Sequence, residues 1–204
     1  MVHATLVEVH GIGVLLTGPR GVGKSETALE LIRRGHALVA DDAVVVEKDA
    51  EGNPVGRAPV NLSGKLEIRL ALAELYCPNC LSVYPFSPRR MRKGCDECGS
   101  DLELRPIQDK VAVDVAELFG AGAVVDSARI DVILRLVPGP YHPRHDPTLG
   151  PEDPVSNTPK EEETVMRMVK SSGGKILHVD VIPGRDIATL VEVVALRESA
   201  SRRR

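Results

Sequence analysis

The stretch that most constrains this chain is GPRGVGKS, residues 18–25. It fits the pattern G-x-x-x-x-G-K-[ST]. A strand-like run, GVLLTG (13–18), precedes it and a helix-like run, SETALELIRRG (25–35), follows it. Gly18, Gly21 and Gly23 permit a tight backbone turn, completed by Pro19, Arg20 and Val22. The amides of such a turn converge on phosphate oxygens, helped by the N-terminus of the next helix. Lys24 is then expected to reach the β- and γ-phosphates of a nucleotide, and Ser25 to ligate Mg2+. A glycine-rich turn that matches by coincidence is the competing reading, and the strand–loop–helix context argues against it. The motif predicts a bound triphosphate or similar ligand. It does not name the acceptor.

The flanking segments read as α/β. TLVEV (5–9) predicts a strand, and ALVADD (37–42) a buried strand that ends in two acids, Asp41 and Asp42. Adjacent carboxylates repel unless a cation or a proton lies between them. After a phosphate-binding loop, one is expected to hold Mg2+ and the other to take a proton from an attacking hydroxyl. A hairpin is predicted to turn at Glu51–Pro54, with strands over 129–137 and 175–182 and a closing amphipathic helix over 185–199. Residues 138–163 hold seven prolines and almost no aliphatic side chains, so a long loop is expected there. The terminal SRRR reads as a solvated tail.

Composition narrows the function classes. The 204 residues suit one domain with a small subdomain. A net charge of −3 gives no global attraction to nucleic acid or to a membrane surface, and only two Phe and three Tyr are available to stack on unpaired bases. Nucleic acid is therefore a disfavoured partner. No apolar run approaches the roughly 18 residues of a membrane span, and no secretory leader is evident. A cytoplasmic location is expected, where paired cysteines usually hold metal.

All four cysteines lie in one segment: Cys77, Cys80, Cys95 and Cys98, spaced C-x2-C-x14-C-x2-C. Four thiolates at this spacing predict tetrahedral Zn2+ with no open position, a structural site rather than a catalytic one. Such binding can fold a short insert that has almost no core. Arg89, Arg90, Arg92 and Lys93 lie between the knuckles, and two readings stay open for them. They either solubilise an exposed arm or meet substrate phosphate, an acidic protein or nucleic acid.

The segment GVLLTGPRGVGKSETALELIRRGHALVADDAV resembles the core of the HPr kinase/phosphorylase family, bacterial enzymes of carbon catabolite regulation. GRAP (56–59), LEIR (66–69), LFGAGAV (118–124), RIDVILRL (129–136), PGR (183–185) and LVEVVAL (190–196) follow in the family's order. The resemblance implies a phosphate-loop kinase core of the HPr kinase/phosphoenolpyruvate-carboxykinase type over residues 1–204. A zinc ribbon-like module at 70–109 would interrupt it. It further implies ATP and Mg2+ as cofactors, Asp42 as the proton-transferring acid with Asp41 its partner, Glu67 as a Mg2+ ligand and Arg69 in the catalytic stretch. His3 corresponds to a family active-site histidine, and Arg144 and Arg185 to further catalytic arginines. HPr is the implied protein substrate and a homo-hexamer the implied assembly. The sequence departs from the family where Leu70–Leu72 replace a glycine-rich stretch, and where Ile182 stands in a usually basic position.

Together these readings predict a phosphotransferase that moves phosphate from ATP to a protein serine. The reverse reaction, and pyrophosphate as donor, stay open. Two rivals remain. One is a small-molecule kinase on the same core, acting on a free amino acid, sugar or nucleotide. The other is a non-catalytic nucleotide-sensing adaptor with a zinc arm.

Overall fold

The computed structural model describes residues 1–85, 92, 94–139, 159–182 and 184–203; the side chains of 69–73, 85 and 106–110 also fall outside the description. The chain divides into two compact units, Met1–Glu67 with Val113–Arg204, and Ile68–Ala112.

The larger unit is a mixed α/β fold around one curled sheet. Strand β1 (Thr5–Val9) and strand β2 (Ile12–Thr17) form an antiparallel hairpin. Its two turn residues, His10 and Gly11, both take positive φ, 53° and 75°. That is the backbone of a type I′ turn, whose twist matches the strands it joins. Every residue of β2 is buried, as expected of a strand covered on both faces.

Helix α1 (Lys24–Arg33) follows the glycine-rich loop, and strand β3 (Ala37–Ala40) runs back along the free side of β1. The expected 51–54 hairpin forms from β4 (Val45–Lys48) and β5 (Pro54–Arg57). Strands β6 (Lys65–Tyr76), β7 (Val83–Pro85) and β8 (Glu103–Asp114) make a separate three-stranded sheet in the order β7-β6-β8. A short helix α2 (Val115–Phe119) leads into the long strand β9 (Ser127–Pro138). Strand β9 pairs antiparallel with β5 through its first residues and parallel with β2 through its middle. Strand β10 (Lys175–Val181) lies parallel on its other side.

Two helices cover the sheet elements β1, β2 and β3: α1 and the closing helix α4 (Ile187–Arg202). Helix α3 (Lys160–Ser171) instead packs on β9, β10 and β5. Its Val165 and Val169 join Leu6, Leu15, Val39, Val44, Ile130 and Ile133 in one buried cluster. The alternating residues Val7, Val14 and Leu16 are buried on the opposite side of the same strands.

Two expectations are corrected. The segment expected to be a loop through Glu163 gives way to helix α3 at Lys160, because Glu161–Glu163 sit well at a helix N-terminus and Val165 and Val169 share a buried face. Residues 140–158 of that segment lie outside the described residues. The terminal tail is not free either. Helix α4 continues to Arg202, whose guanidinium pairs with the buried Asp131; that carboxylate also meets Arg129 at 3.0 Å and the Gly13 amide at 3.0 Å.

Candidate functional site

Strands β2, β9 and β10 are mutually parallel, and β3 runs in the same direction because both it and β2 pair antiparallel with β1. The carboxyl ends of these strands therefore lie along one edge of the sheet. Residues leaving β2 and β3 there are the glycine-rich loop 18–25 and the Asp41–Asp42 pair. Loops at such an edge are the usual place for ligands in open α/β sheets.

The loop shape is set by its glycines. Gly18 takes a φ of 129°, and a Cβ there would lie 2.3 Å from the carbonyl oxygen of Leu136. Only glycine fits a backbone so close to the neighbouring strand. Gly21 and Gly23 also have positive φ, 74° and 106°, and Gly23 caps α1. Val22 is buried and anchors the loop, while Pro19 and Arg20 are exposed.

Lys24 opens α1 and is only 6% exposed. Its ammonium donates to the carbonyls of Gly18 at 2.9 Å and Pro19 at 3.2 Å. Burial pushes its pKa below the ordinary 10.5, against the opposing pull of Asp41, Asp42 and Glu162.

Asp41 is buried at 3% exposure and is surrounded by donors. The Thr5 hydroxyl donates to it at 2.6 Å, the Ser25 hydroxyl at 3.0 and 3.1 Å to its two oxygens, and the Glu67 amide at 3.1 Å. Asp42 is different: it is exposed and holds a φ of 63°, unusual for a residue with a side chain. Its backbone oxygen and its carboxylate both face His3 Nδ1, at 2.8 and 3.1 Å. Two acceptors there assign the ring proton to Nδ1, which leaves Nε2, 3.5 Å from Lys24 Nζ, as an acceptor. His3 is fixed because the neighbouring Val2 exchanges both backbone hydrogen bonds with Val44 at 2.9 Å.

The structure thus gathers His3, Lys24, Ser25, Asp41, Asp42 and the Glu67 backbone into one cluster. Arg185 lies past the end of β10 and donates to the Asp180 carbonyl at 3.1 Å. Arg144 and the side chain of Arg69 lie outside the described residues. Sequence reasoning passed over Thr5, a lone hydroxyl inside an apolar strand. Its one available signal was that a buried hydroxyl needs a partner. It also passed over Arg135 and Glu162, a buried pair 3.7 Å apart. Thr17, which pairs with Arg135 across β2 and β9, has a buried hydroxyl with no hydrogen-bond partner among the described residues.

In the smaller unit the cysteines form two matching knuckles. The Leu81 amide donates to the Cys77 carbonyl and the Gly99 amide to the Cys95 carbonyl, both at 2.9 Å. Leu81 and Gly99 occupy equivalent positions with φ of 66° and 70°. The four sulfurs cluster, with contacts of 3.5 Å (Cys77–Cys98), 3.3 Å (Cys80–Cys95) and 3.5 Å (Cys80–Cys98). Tetrahedral Zn–S bonds of about 2.3 Å would set sulfurs roughly 3.8 Å apart, so the cluster is close to the size zinc requires. Hydrogen bonds from Ser100, first from its side chain and then its amide, pull Cys98 down to about 5, which favours a thiolate. Of the basic cluster, Arg92 stacks over Tyr84 at 4.6 Å and pairs with Asp96, whereas Arg89, Arg90 and Lys93 lie outside the described residues.

A mixed α/β fold with a glycine-rich loop, a buried lysine and paired aspartates at its carboxyl edge defines the class. Residues 1–72 match the family described as HPr Serine kinase C-terminal domain. The chain is 34% identical over 195 residues to the HPr kinase/phosphorylase of Bacillus subtilis (strain 168), covering 96% of this chain and 46% of the relative. The HPr kinase/phosphorylase of Geobacillus sp. (strain WCH70) is 36% identical over 195 residues, with the same 96% and 46% coverage. The solved structure of the Hpr(Ser) kinase/phosphatase from Coxiella burnetii superposes with a TM-score of 0.58 at 22% identity, covering 99% of this chain and 92% of that one. That likeness concerns the fold. The chain is thus similar to HPr kinase/phosphorylases along nearly its whole length, and it spans about half the length of the curated relatives it matches.

Proposed function

We propose that this chain is an ATP- and Mg2+-dependent serine kinase of the HPr kinase/phosphorylase type, with an HPr-like protein as acceptor. The observation that carries the reading is the convergence of Lys24, Ser25 and Asp41 with an exposed Asp42 at one sheet edge. The phosphate-loop core, zinc ribbon and hexameric assembly expected from the resemblance belong to the same proposal.

In this reading the amides of 18–25 and the Lys24 ammonium hold the phosphates of ATP. Ser25 and Asp41 fit a magnesium site by their chemistry: a hydroxyl already bonded to both oxygens of a buried carboxylate is a hard oxygen donor set. Glu67 is assigned to the same set. Mg2+ would neutralise charge developing on the transferring group. Thr5 and the Glu67 amide hold Asp41 in orientation. Its oxygens are engaged by donors, so Asp42 is the carboxylate open to an approaching hydroxyl. Asp42 takes the proton of the acceptor serine, and His3 steadies it through Nδ1. Arg185, Arg69 and Arg144 remain proposed contributors on the strength of the resemblance. In the smaller unit the four cysteines are proposed to hold a structural Zn2+ that staples an insert corresponding to 70–109.

The test is incubation with labelled ATP, Mg2+ and purified HPr, followed by identification of the labelled residue. Label on an HPr serine supports the proposal. Label on metabolites alone would favour the small-molecule kinase.

A further inference from the structure

A second cluster of ligand-type side chains lies away from the carboxyl edge, around the β1–β2 turn. His10 is in that turn, His36 just precedes β3, and Glu192 is on α4. One ligand atom from each of the three lies within 4.8 Å of the others. The His10 and His36 rings meet edge to face with centroids 4.7 Å apart. His36 Nε2 is 3.1 Å from Glu192 Oε1, close to the separation of two ligands on one metal ion with bonds of about 2.0–2.1 Å.

The backbone prepares this arrangement. His10 sits in a type I′ turn with a φ of 53°, so its Cβ direction is fixed by the hairpin. His36 is held by its amide, which donates to the Leu31 carbonyl at 3.1 Å. The electrostatics also suit a cation. Arg34 reaches the same glutamate, and it is engaged by Glu30 (3.1 Å), Asp186 (2.8 Å) and Glu192 Oε2 (2.7 Å). Three carboxylates therefore surround one guanidinium, and Glu192 Oε1 is turned towards the imidazoles.

We propose that His10, His36 and Glu192 form a binding site for a divalent transition-metal ion, separate from both the Asp41 cluster and the four cysteines. Two imidazoles and one carboxylate suit Zn2+, Ni2+ or Co2+ rather than Mg2+ or Ca2+, which prefer all-oxygen sites. Occupancy would tie the β1–β2 turn, through His10, to the His36–Glu192 contact that already joins the start of β3 to helix α4. The proposal does not depend on the phosphotransfer reading.

The experiment uses the full chain loaded with one equivalent of Zn2+, so that the thiolates are occupied, and titrates Ni2+ by calorimetry with a melting curve at each ratio. His10→Gln is the key variant, because His10 is exposed and its loss removes a ligand without opening the core. The expected result is one Ni2+ site of micromolar or tighter affinity, a rise in melting temperature with Ni2+, and at least a tenfold loss of affinity in His10→Gln. Glu192→Gln should weaken binding similarly. The proposal is overturned if the zinc-loaded protein takes up no Ni2+ below millimolar concentration. It is equally overturned if His10→Gln, with an unchanged circular dichroism spectrum, binds as tightly as the wild type.

Discussion

Lys24 shows the tension between site and stability within a single residue. Its ammonium is buried, and burial lowers its pKa. A lysine whose folded pKa lies below the unfolded value destabilises the fold while it must be charged. The penalty is present at pH below the folded value, and it fades as pH rises towards the unfolded value of 10.5. Lys24→Met should therefore raise the melting temperature without nucleotide at pH 7, and the gain should shrink as pH approaches 10. Melting curves across that range read the effect; a gain that grows with pH contradicts it. Leu81 offers a second case. It holds a left-handed φ of 66° at a position where the other knuckle uses Gly99, and its side chain is 65% exposed. Leu81→Gly loses little packing and relieves roughly 1 kcal/mol of strain. Zinc affinity should hold or tighten, which a competition titration with a chromogenic chelator measures.

Among the elements, helix α3 closes the core on the side away from α1 and α4. Val169 is fully buried there. Val169→Ala should cost about 2 kcal/mol of stability, read from denaturant unfolding, with no new cavity at the Asp41 cluster. This helix was also the element least legible in the sequence. Its residues adjoin a proline-rich stretch, and three successive glutamates at 161–163 read as solvated loop until the buried Val165–Val169 stripe is seen. The strands on either side of it in the chain were plain, because β1, β2, β3, β9 and β10 are apolar runs with clear breakers. The site was legible where a motif exists, at 18–25 and at Asp41–Asp42. Thr5 was not, since only the β1–β3 pairing, with Leu6 opposite Ala40, brings its hydroxyl to Asp41. The position of His3 was legible through resemblance alone. What fixes it is a bridge between Val2 and Val44, far apart in sequence.

At the scale of the whole molecule, two units carry two kinds of stability. The larger has a continuous apolar core. The smaller, Ile68–Ala112, has its buried hydrophobic positions at Cys77 and Cys95 among the described residues, so its order is expected to come from metal. A strong chelator should release one zinc per chain and abolish amide-exchange protection in β7 and the knuckles, while protection in β2 and β9 persists. Loss of protection in both units together would contradict this division. No helix among the described residues is long and apolar enough to cross a membrane.

The central claim is that the loop at Lys24 and the acids at 41–42 deliver a phosphoryl group to a serine hydroxyl. Single-turnover transfer from labelled ATP to HPr, compared between wild type, Lys24→Ala and Asp42→Asn, tests it most directly. The account predicts serine labelling by the wild type and none detectable with Lys24→Ala. For Asp42→Asn it predicts a fall in rate of about 10²–10⁴ with nucleotide affinity largely retained. Full turnover by Asp42→Asn, or equal labelling by Lys24→Ala, would contradict it.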